Sequence, residues 1–253
     1  MRDDQPSGCT RRDAIGRTAA LVGLPALLPW SHVSSVASGT PAASAASAPA
    51  PTTGAAWPRY EQAMVIDCLA SPGPFNTTQP ATPLSDAMVR NAAASGITGI
   101  NLTVNGDDFP STMRRIGTWE RELNVHGDVL MRVRSVRDLA EAKRTKRLGI
   151  IYGFQGVQPI GSDLSTIATF AAFGVKIVQL TYNTRSLVGD GSLEPGNAGL
   201  SSFGREVVAE LEKQKVLVDL SHCGQRTTAD GIAVAKGPVS ITHSGCAALA
   251  DVP

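Results

Sequence analysis

Short apolar runs that alternate with amphipathic stretches restrict the fold of this chain more than any other feature. Six runs bounded by turn residues have the length and composition of buried strands. They lie at residues 64–69, 97–104, 149–154, 175–182, 216–221 and 239–244. Helical patterns occupy 84–95, 111–124, 136–146, 163–173, 200–215 and 227–236. Alternating strands and helices predict right-handed βαβ units around a parallel sheet, and therefore an α/β protein.

Two α/β architectures fit this pattern: an open doubly wound sheet and a (β/α)8 TIM-type barrel. No glycine-rich phosphate-binding turn follows any of the runs, which disfavours a nucleotide-binding doubly wound sheet. Five runs instead have a polar residue at or just after their C-terminal end, and a barrel gathers its functional groups at that face. These residues are Asp67, Gln155, Tyr182, His222 and His243. We favour the barrel, with about six of its eight units present, because residues 57–253 are fewer than the roughly 250 that such a barrel typically needs.

The first 56 residues are predicted to lie outside the folded part. Arg11 and Arg12 precede an apolar stretch at 19–30, and small residues at 43–48 suit a cleavage site. Residues 1–33 are therefore interpreted as an export signal of the twin-arginine type, with an ordinary secretory signal or a basic tail as the alternative. Residues 34–56, almost all Ala, Ser, Pro, Thr and Gly, predict a disordered linker. The domain at 57–253 is then expected to be periplasmic or secreted by the twin-arginine route.

Charge and hydropathy exclude several classes of protein. Lys and Arg together number 23 and Asp and Glu 22, so the net charge is +1. This balance gives no electrostatic basis for binding nucleic acid or an anionic membrane surface. No apolar run reaches the roughly 18 to 20 residues of a membrane-spanning helix, so no transmembrane segment is expected. The expected partner is a small molecule.

Two of the four histidines follow apolar strand-like runs directly. His222 ends the run at 216–221 and His243 comes at the end of the next run, one βα unit later. In a barrel, adjacent strands would hold both imidazoles over one pocket. Neutral imidazole is a common zinc ligand, and two histidines suit a catalytic site with open coordination positions. The alternative is a pair of hydrogen-bonded histidines in a cleft without a metal ion.

Several segments resemble the renal (membrane) dipeptidase family. They are 218–224 (VDLSHCG), 238–244 (PVSITHS), 180–183 (LTYN), 199–204 (GLSSFG) and 149–156 (GIIYGFQG), and the resemblance runs from about residue 64 to residue 253. Members of this family are barrel metallopeptidases that hydrolyse dipeptides with two zinc ions. The resemblance implies a dipeptide substrate, a homodimer, and His222 and His243 as ligands of one zinc ion.

Other positions depart from the family pattern. The His-x-Asp pair that binds the second zinc corresponds to Leu69-Ala70-Ser71, and the metal-bridging Glu corresponds to Gln155, which is at best a weak ligand. One zinc ion is therefore expected, while the second zinc site has lost its ligands. A substrate-facing His of the family corresponds to Tyr182, so Tyr182 and Asp67 are expected to bind substrate.

The family's catalytic Asp and substrate-binding Arg would fall beyond Pro253. The resemblance therefore implies a divergent, C-terminally truncated member whose general base is not among these 253 residues. Three functions follow. The first is a metal-dependent dipeptidase-type hydrolase whose activity is in question, and the second is a non-catalytic periplasmic binding protein on the same fold. The third is a rearranged site acting on a different amide or ester.

Overall fold

The computed structural model describes residues 59–74 and 81–245. The predicted export signal (1–33) and linker (34–56) lie outside the described residues and stay predictions. Seven strands and six helices alternate along the described part. The strands are β1 (Ile66–Asp67), β2 (Gly99–Thr103), β3 (Leu130–Arg132), β4 (Leu148–Phe154), β5 (Val175–Gln179), β6 (Leu217–Asp219) and β7 (Val239–Ser240). The helices are α1 (Asp86–Ala94), α2 (Phe109–Val125), α3 (Val136–Thr145), α4 (Ser165–Ala172), α5 (Ser202–Lys213) and α6 (Gln225–Val234).

All strand pairs of the sheet are parallel, as the alternating pattern predicts. The main path runs β1-β2-β4-β5-β6-β7, and each of its six strands overlaps one of the six predicted runs. A helix lies between each pair of consecutive strands. The α/β prediction is therefore confirmed, with six consecutive barrel strands in the described part.

One strand, β3, was missed by the sequence prediction. It pairs with the N-terminal end of β4, where Leu130 is in register with Leu148, whereas β5 pairs with the C-terminal end of β4. Three residues are too few to show a two-residue periodicity, so nothing in the sequence separates β3 from the loop between two helices. The strands β1 and β7 are also shorter than predicted, with two residues each.

Side chains alternate between the two sides of the sheet along each strand. Ile150 and Phe154 of β4 are buried on the side that faces the helices, and the Phe154 ring lies 4.9 Å from that of Phe170 in α4. The opposite side, called here the lumen-facing side, is polar towards the C-terminal ends of the strands. Its polar side chains are Asn101, Thr103, Gln155, Gln179, Asp219 and Ser221. The sheet therefore carries its polar groups where a barrel holds its site.

Helix α3 packs against the N-terminal end of the lumen-facing side. A Cβ atom at Gly99 would lie 2.8 Å from Leu139, and one at Gly149 would lie 3.4 Å from Ala142 and 2.7 Å from Val133. Glycine at both positions lets the helix approach the strands closely. Within the described part of the chain, no helix is long and apolar enough to cross a membrane.

Candidate functional site

His222 and His243 lie side by side at the C-terminal ends of β6 and β7. Asp219 and Ser240, the last residues of the two strands, are in register, and each histidine follows its strand by three residues. The two imidazole centroids are 4.9 Å apart and the rings meet at 61°. The structure thus brings together the two histidines that the sequence predicts over one pocket.

His222 is held by two residues that follow β5. The exposed ring of Tyr182 stacks on the imidazole, with centroids 4.4 Å apart and planes 25° from parallel. The His222 Nδ1 atom lies 2.7 Å from Asn183 Oδ1, and an amide oxygen can only accept. Nδ1 therefore carries the proton and the Nε2 lone pair is free. Burial, and then the neighbouring His243, lower the pKa of His222 against the opposing effect of Asp219, which favours the neutral imidazole that a metal ion requires.

His222 and Asn183 share an unusual backbone conformation. Their φ angles are 57° and 58°, in the left-handed region that residues with a β-carbon rarely adopt. Such conformations occur at ligand-binding and active sites, where the surrounding structure maintains them. Here the Ser192 N–H donates to the His222 carbonyl at 2.8 Å and the Leu193 N–H donates to the Asn183 carbonyl at 2.8 Å.

Thr242 and Asp219 orient the His243 ring through two consecutive hydrogen bonds. Its Nδ1 atom is 2.8 Å from the Thr242 hydroxyl, which donates to Asp219 Oδ2 at 2.6 Å. Its other ring nitrogen, Nε2, lies 3.4 Å from the Gln155 side-chain nitrogen. The imidazole therefore has one nitrogen occupied within the protein and the other directed at the position of Gln155.

Gln155 presents its amide nitrogen, and not its oxygen, to the histidines. The Thr103 hydroxyl donates to Gln155 Oε1 at 2.9 Å, and the Gln155 backbone N–H donates to Asn105 Oδ1 at 2.8 Å. Beside Gln155 lies a cavity of about 250 Å³, whose other lining residues are Thr103, Asn105, Gly106, Asp107, Arg115, Gln158 and Tyr182. Both Gln155 and Tyr182 thus connect the histidine pair to a space that can receive a small molecule.

Residues near β1 form turn contacts. Asp67 is in register with Ile100, whose side chain faces the helices, and the Asp67 carboxylate accepts the Leu69 N–H at 3.0 Å. Ser71 Oγ accepts the Gly73 N–H at 3.1 Å. These contacts are the turn-capping role that an acid or hydroxyl at a strand end commonly has. Substrate binding by Asp67 stays a prediction.

The described residues offer few donors for a metal ion. No group of three or more His, Cys, Asp or Glu side chains within residues 59–74 and 81–245 is placed to hold a metal ion. The imidazoles of His222 and His243 are two nitrogen donors for one zinc ion, and the Nε2 atom of His243 lies against the Gln155 side-chain nitrogen at 3.4 Å. A second cation would need a charged bridging ligand, and Gln155 is neutral with its oxygen already bonded to Thr103.

The cysteines do not extend this donor set. Cys223 follows His222, but burial raises the pKa of its thiol to about 11, and its sulfur is 3.3 Å from the Thr181 hydroxyl. A cysteine binds zinc as the thiolate, so this protonated, partly buried thiol fits a packing role. Cys68 is exposed rather than buried, and Cys246 lies outside the described residues.

Four functional positions were not identified from the sequence: Asn183, Asp190, Asp219 and Thr242. Asp219 had a signal in the sequence, because an acid in the middle of the apolar run at 216–221 must find hydrogen bonds when it is buried.

Asp190, 3% exposed, accepts the Ala198 N–H at 2.6 Å and pairs with Arg185 at 2.8 Å. Residues 189–191 of the same loop are buried, whereas Pro195 and Gly196 are exposed.

Comparisons with known proteins identify a family and a fold for this chain. A family model described as membrane dipeptidase, peptidase family M19, matches residues 81–253. Dipeptidase verJ of Clonostachys rogersoniana is 28% identical over 149 residues, which is 58% of this chain and 38% of that protein. The chain thus spans little more than a third of that relative.

Two solved structures share the fold. An amidohydrolase from Pseudomonas aeruginosa is 32% identical with a TM-score of 0.66, over 73% of this chain and 54% of that one. A metallopeptidase from Rhodobacter sphaeroides, solved with a phosphinate mimic of the dipeptide L-Ala-D-Ala, is 16% identical with a TM-score of 0.61. It aligns with 73% of this chain and 66% of that one. The described part is accordingly a partial TIM-type barrel.

Proposed function

Because this chain belongs to the membrane dipeptidase family, we propose that it is a metal-dependent hydrolase of dipeptide amide bonds that holds one zinc ion between His222 and His243. The observation that carries the proposal is the pair of imidazoles whose centroids are 4.9 Å apart, each with Nδ1 bonded inside the protein. The Nε2 lone pair of His222 is then left for a metal ion, whereas that of His243 faces the Gln155 side-chain nitrogen at 3.4 Å, a contact that a metal ion would replace.

A zinc ion bound at this position supplies polarisation of the substrate carbonyl and a lowered pKa for its bound water. The chain's own residues bind and orient the substrate. Tyr182 covers one face of His222, and the cavity beside Gln155 lies next to it. Arg115 lines this cavity and is fixed by a 2.9 Å hydrogen bond from Nη1 to the Asn105 carbonyl. Its guanidinium suits a substrate carboxylate, while the Gln155 side-chain N–H groups suit a carbonyl oxygen.

Non-catalytic binding on the same fold is the second candidate function. The specific observation in its favour is that Leu69, Ser71 and Gln155 occupy positions where the family resemblance implies metal ligands. Leu69 has no lone pair and Ser71 Oγ is bonded to the Gly73 N–H. A pocket with one weakly held metal ion, or none, would still bind a dipeptide in the cavity beside Gln155.

We also propose export by the twin-arginine route and assembly as a homodimer. Arg11 and Arg12 ahead of the apolar stretch at 19–30 support export, and the family resemblance supports the dimer. Fusing residues 1–56 to a reporter and repeating the fusion with both arginines changed to Lys tests the route. Size-exclusion chromatography of the mature chain tests the dimer.

The activity test uses the full chain loaded with zinc and a panel of dipeptides that includes L- and D-residues at the second position. Hydrolysis by the wild type that is lost in His243→Ala supports the proposal. The matched control is His126→Gln, because His126 lies at the end of α2 beside Glu122 and not at the site. Dipeptide binding without turnover by folded, zinc-loaded protein would replace the hydrolase with the binding protein.

A further inference from the structure

We propose that Asp219 is a positioning residue: through the Thr242 hydroxyl it holds His243 in the tautomer that carries its proton on Nδ1. The use of this arrangement for zinc binding rests on the proposed function. The tautomer itself concerns only residues of this chain, so it can be tested without a metal ion.

The hydrogen bonds around Asp219 determine where each proton lies. Asp219 Oδ1 accepts the Ser221 N–H at 3.1 Å, the Ser221 hydroxyl at 2.8 Å and the Thr242 N–H at 3.1 Å. Asp219 Oδ2 accepts the Thr242 hydroxyl at 2.6 Å. A carboxylate only accepts, so the single hydroxyl proton of Thr242 points at Asp219. The Thr242 oxygen, 2.8 Å from His243 Nδ1, must then accept the Nδ1 proton.

Because Asp219 is buried, its carboxylate must keep these hydrogen bonds. Asp219 is only 2% exposed and lies on the lumen-facing side of β6, where an unpaired carboxylate would be strongly unfavourable. The four donors to Asp219 come from two residues, Ser221 after β6 and Thr242 after β7. In addition, Ser221 Oγ accepts the His243 backbone N–H at 3.1 Å. These hydrogen bonds join the C-terminal ends of β6 and β7, and they hold the backbone and the ring of His243 in one orientation.

The two histidines reach the same state by different means. His222 donates its Nδ1 proton to Asn183, an amide, whereas His243 donates to a hydroxyl that is itself polarised by a buried carboxylate. Outer hydrogen-bond partners of this kind fix the tautomer of metal-binding histidines, and changing them typically costs about 10- to 100-fold in metal affinity. Asp219 has no hydrogen bond to His243 itself and reaches the ring through the Thr242 hydroxyl.

Asp219→Asn is expected to reverse donor and acceptor in the hydrogen bonds that link residue 219, Thr242 and His243. An asparagine side chain can donate to the Thr242 oxygen, which frees the hydroxyl proton to point at His243 Nδ1. Nδ1 would then accept, and the proton would move to Nε2, the nitrogen left for a metal ion. The substitution is therefore expected to switch the tautomer while changing the volume of the side chain very little.

The experiment records ¹⁵N and ¹³C NMR spectra of the metal-free full chain with labelled histidine, at a pH of about 8, where an imidazole of ordinary pKa near 6.5 is neutral. The His243 signals are assigned by their loss in His243→Gln. The wild type is expected to show the Nδ1–H pattern for His243 and Asp219→Asn the Nε2–H pattern. The control Asp230→Asn, which removes a carboxylate paired with Arg226 on α6, should leave the His243 signals unchanged.

If Asp219→Asn does not fold, a second pair of variants, at Thr242, tests the His243 tautomer. Thr242→Val removes the acceptor and is expected to abolish the Nδ1–H pattern, while Thr242→Ser keeps the hydroxyl and should restore it. Zinc affinity should fall about 10- to 100-fold in Asp219→Asn. An Nε2–H pattern in the wild type, or an unchanged tautomer in both Asp219→Asn and Thr242→Val, would overturn the proposal. The Nδ1–H pattern in a wild type that binds no zinc would overturn the proposed function and leave the role of Asp219 standing.

Discussion

Gln155 decides what the histidine pair offers to a metal ion. Thr103 holds its oxygen at 2.9 Å, and its nitrogen lies 3.4 Å from His243 Nε2. An amide N–H so placed donates to the lone pair that a metal ion would use. A metal ion at His243 must therefore displace a hydrogen bond that Gln155 makes within the protein.

Gln155→Glu is expected to raise zinc affinity by at least tenfold. A carboxylate cannot donate to His243 Nε2, and it adds a negative charge at the position of the family's bridging ligand. Isothermal titration calorimetry of the metal-free full chain gives the dissociation constant. The control is Gln158→Glu, because Gln158 lines the same cavity. Equal affinities for the wild type and Gln155→Glu would show that Gln155 does not limit zinc binding.

Cys223 is expected to resist alkylation. Burial raises the pKa of its thiol to about 11, so very little thiolate is present at a pH of about 8, and the thiolate is the reactive form. Cys68 is exposed and should react first. Treatment with iodoacetamide followed by peptide mass spectrometry measures both rates. Faster modification of Cys223 than of Cys68 in folded protein would contradict the burial described here.

The sequence predicts the two histidines but not the residues that orient them. His222 and His243 each follow an apolar run, and that local signal is sufficient to place them together. Asn183 lies 39 residues before His222, and its contact depends on left-handed backbone at both residues. No local pattern specifies either condition, because the conformation is maintained by a loop that folds back from β5.

The connection between β5 and α5 is the element that builds one wall of the site. Gly191 pairs with Cys223 across an isolated bridge, and Asp190 O accepts the Gly224 N–H at 3.0 Å and the Thr227 hydroxyl at 2.7 Å. The loop is thereby attached to the start of α6. This attachment explains why residues 189–191, although two of them are glycine and one is charged, are buried.

Gly191→Ala is expected to lower the free energy of unfolding by about 1 to 3 kcal/mol, the usual cost of overpacking. A Cβ atom at Gly191 would collide with the backbone of Asn183 and Thr184, which would also move Asn183 away from His222. Urea denaturation measures the change. Gly117→Ala is the control: a Cβ there meets nothing within 4 Å, and alanine within a helix stabilises by about 0.5 to 1 kcal/mol. Similar effects of the two substitutions would contradict the packing of the loop.

Asp190 is expected to stabilise the fold at neutral pH and to lose this effect in acid. The Ala198 N–H, and then Arg185, lower the pKa of Asp190, against the effect of burial. A lowered folded-state pKa contributes stability above the ordinary value of about 3.9, and the contribution disappears as the pH falls through the folded-state pKa. The stability difference between wild type and Asp190→Asn should therefore be largest near neutral pH and shrink in acid. A difference that is constant with pH would contradict the assignment.

At the scale of secondary-structure elements, the sequence predicts the order of strands and helices better than the residues at which each begins and ends. Six strand-like runs were identified, but the run at 239–244 forms a ladder only over Val239–Ser240, because Thr242 and His243 turn to meet Asp219 and Ser221. The run at 216–221 likewise ends its ladder at Asp219. The residues that leave the ladder early are the ones that form the site.

At the scale of the whole molecule, the two sides of the sheet have different roles: one packs against helices and the other carries the residues of the candidate site. Apolar residues of β2, β4, β5 and β6 face the helices, while the lumen-facing side of β2 and β4 changes from glycine at the N-terminal end to polar side chains at the C-terminal end. The polar residues at the strand ends, together with the lack of a glycine-rich phosphate-binding turn, allowed the barrel to be inferred from the sequence. The number of metal ions could not be inferred as directly, since it depends on whether Gln155 turns its oxygen or its nitrogen towards His243.

The central claim is a site for one zinc ion formed by His222 and His243, and zinc content per chain tests it most directly. The full chain is purified under mild conditions, equilibrated with zinc, freed of unbound metal and analysed by elemental mass spectrometry, with His222→Ala and His126→Gln in parallel. We expect about one zinc ion per chain in the wild type and His126→Gln, and a value near zero in His222→Ala. Two zinc ions per chain, or zinc retained in His222→Ala, would contradict the account.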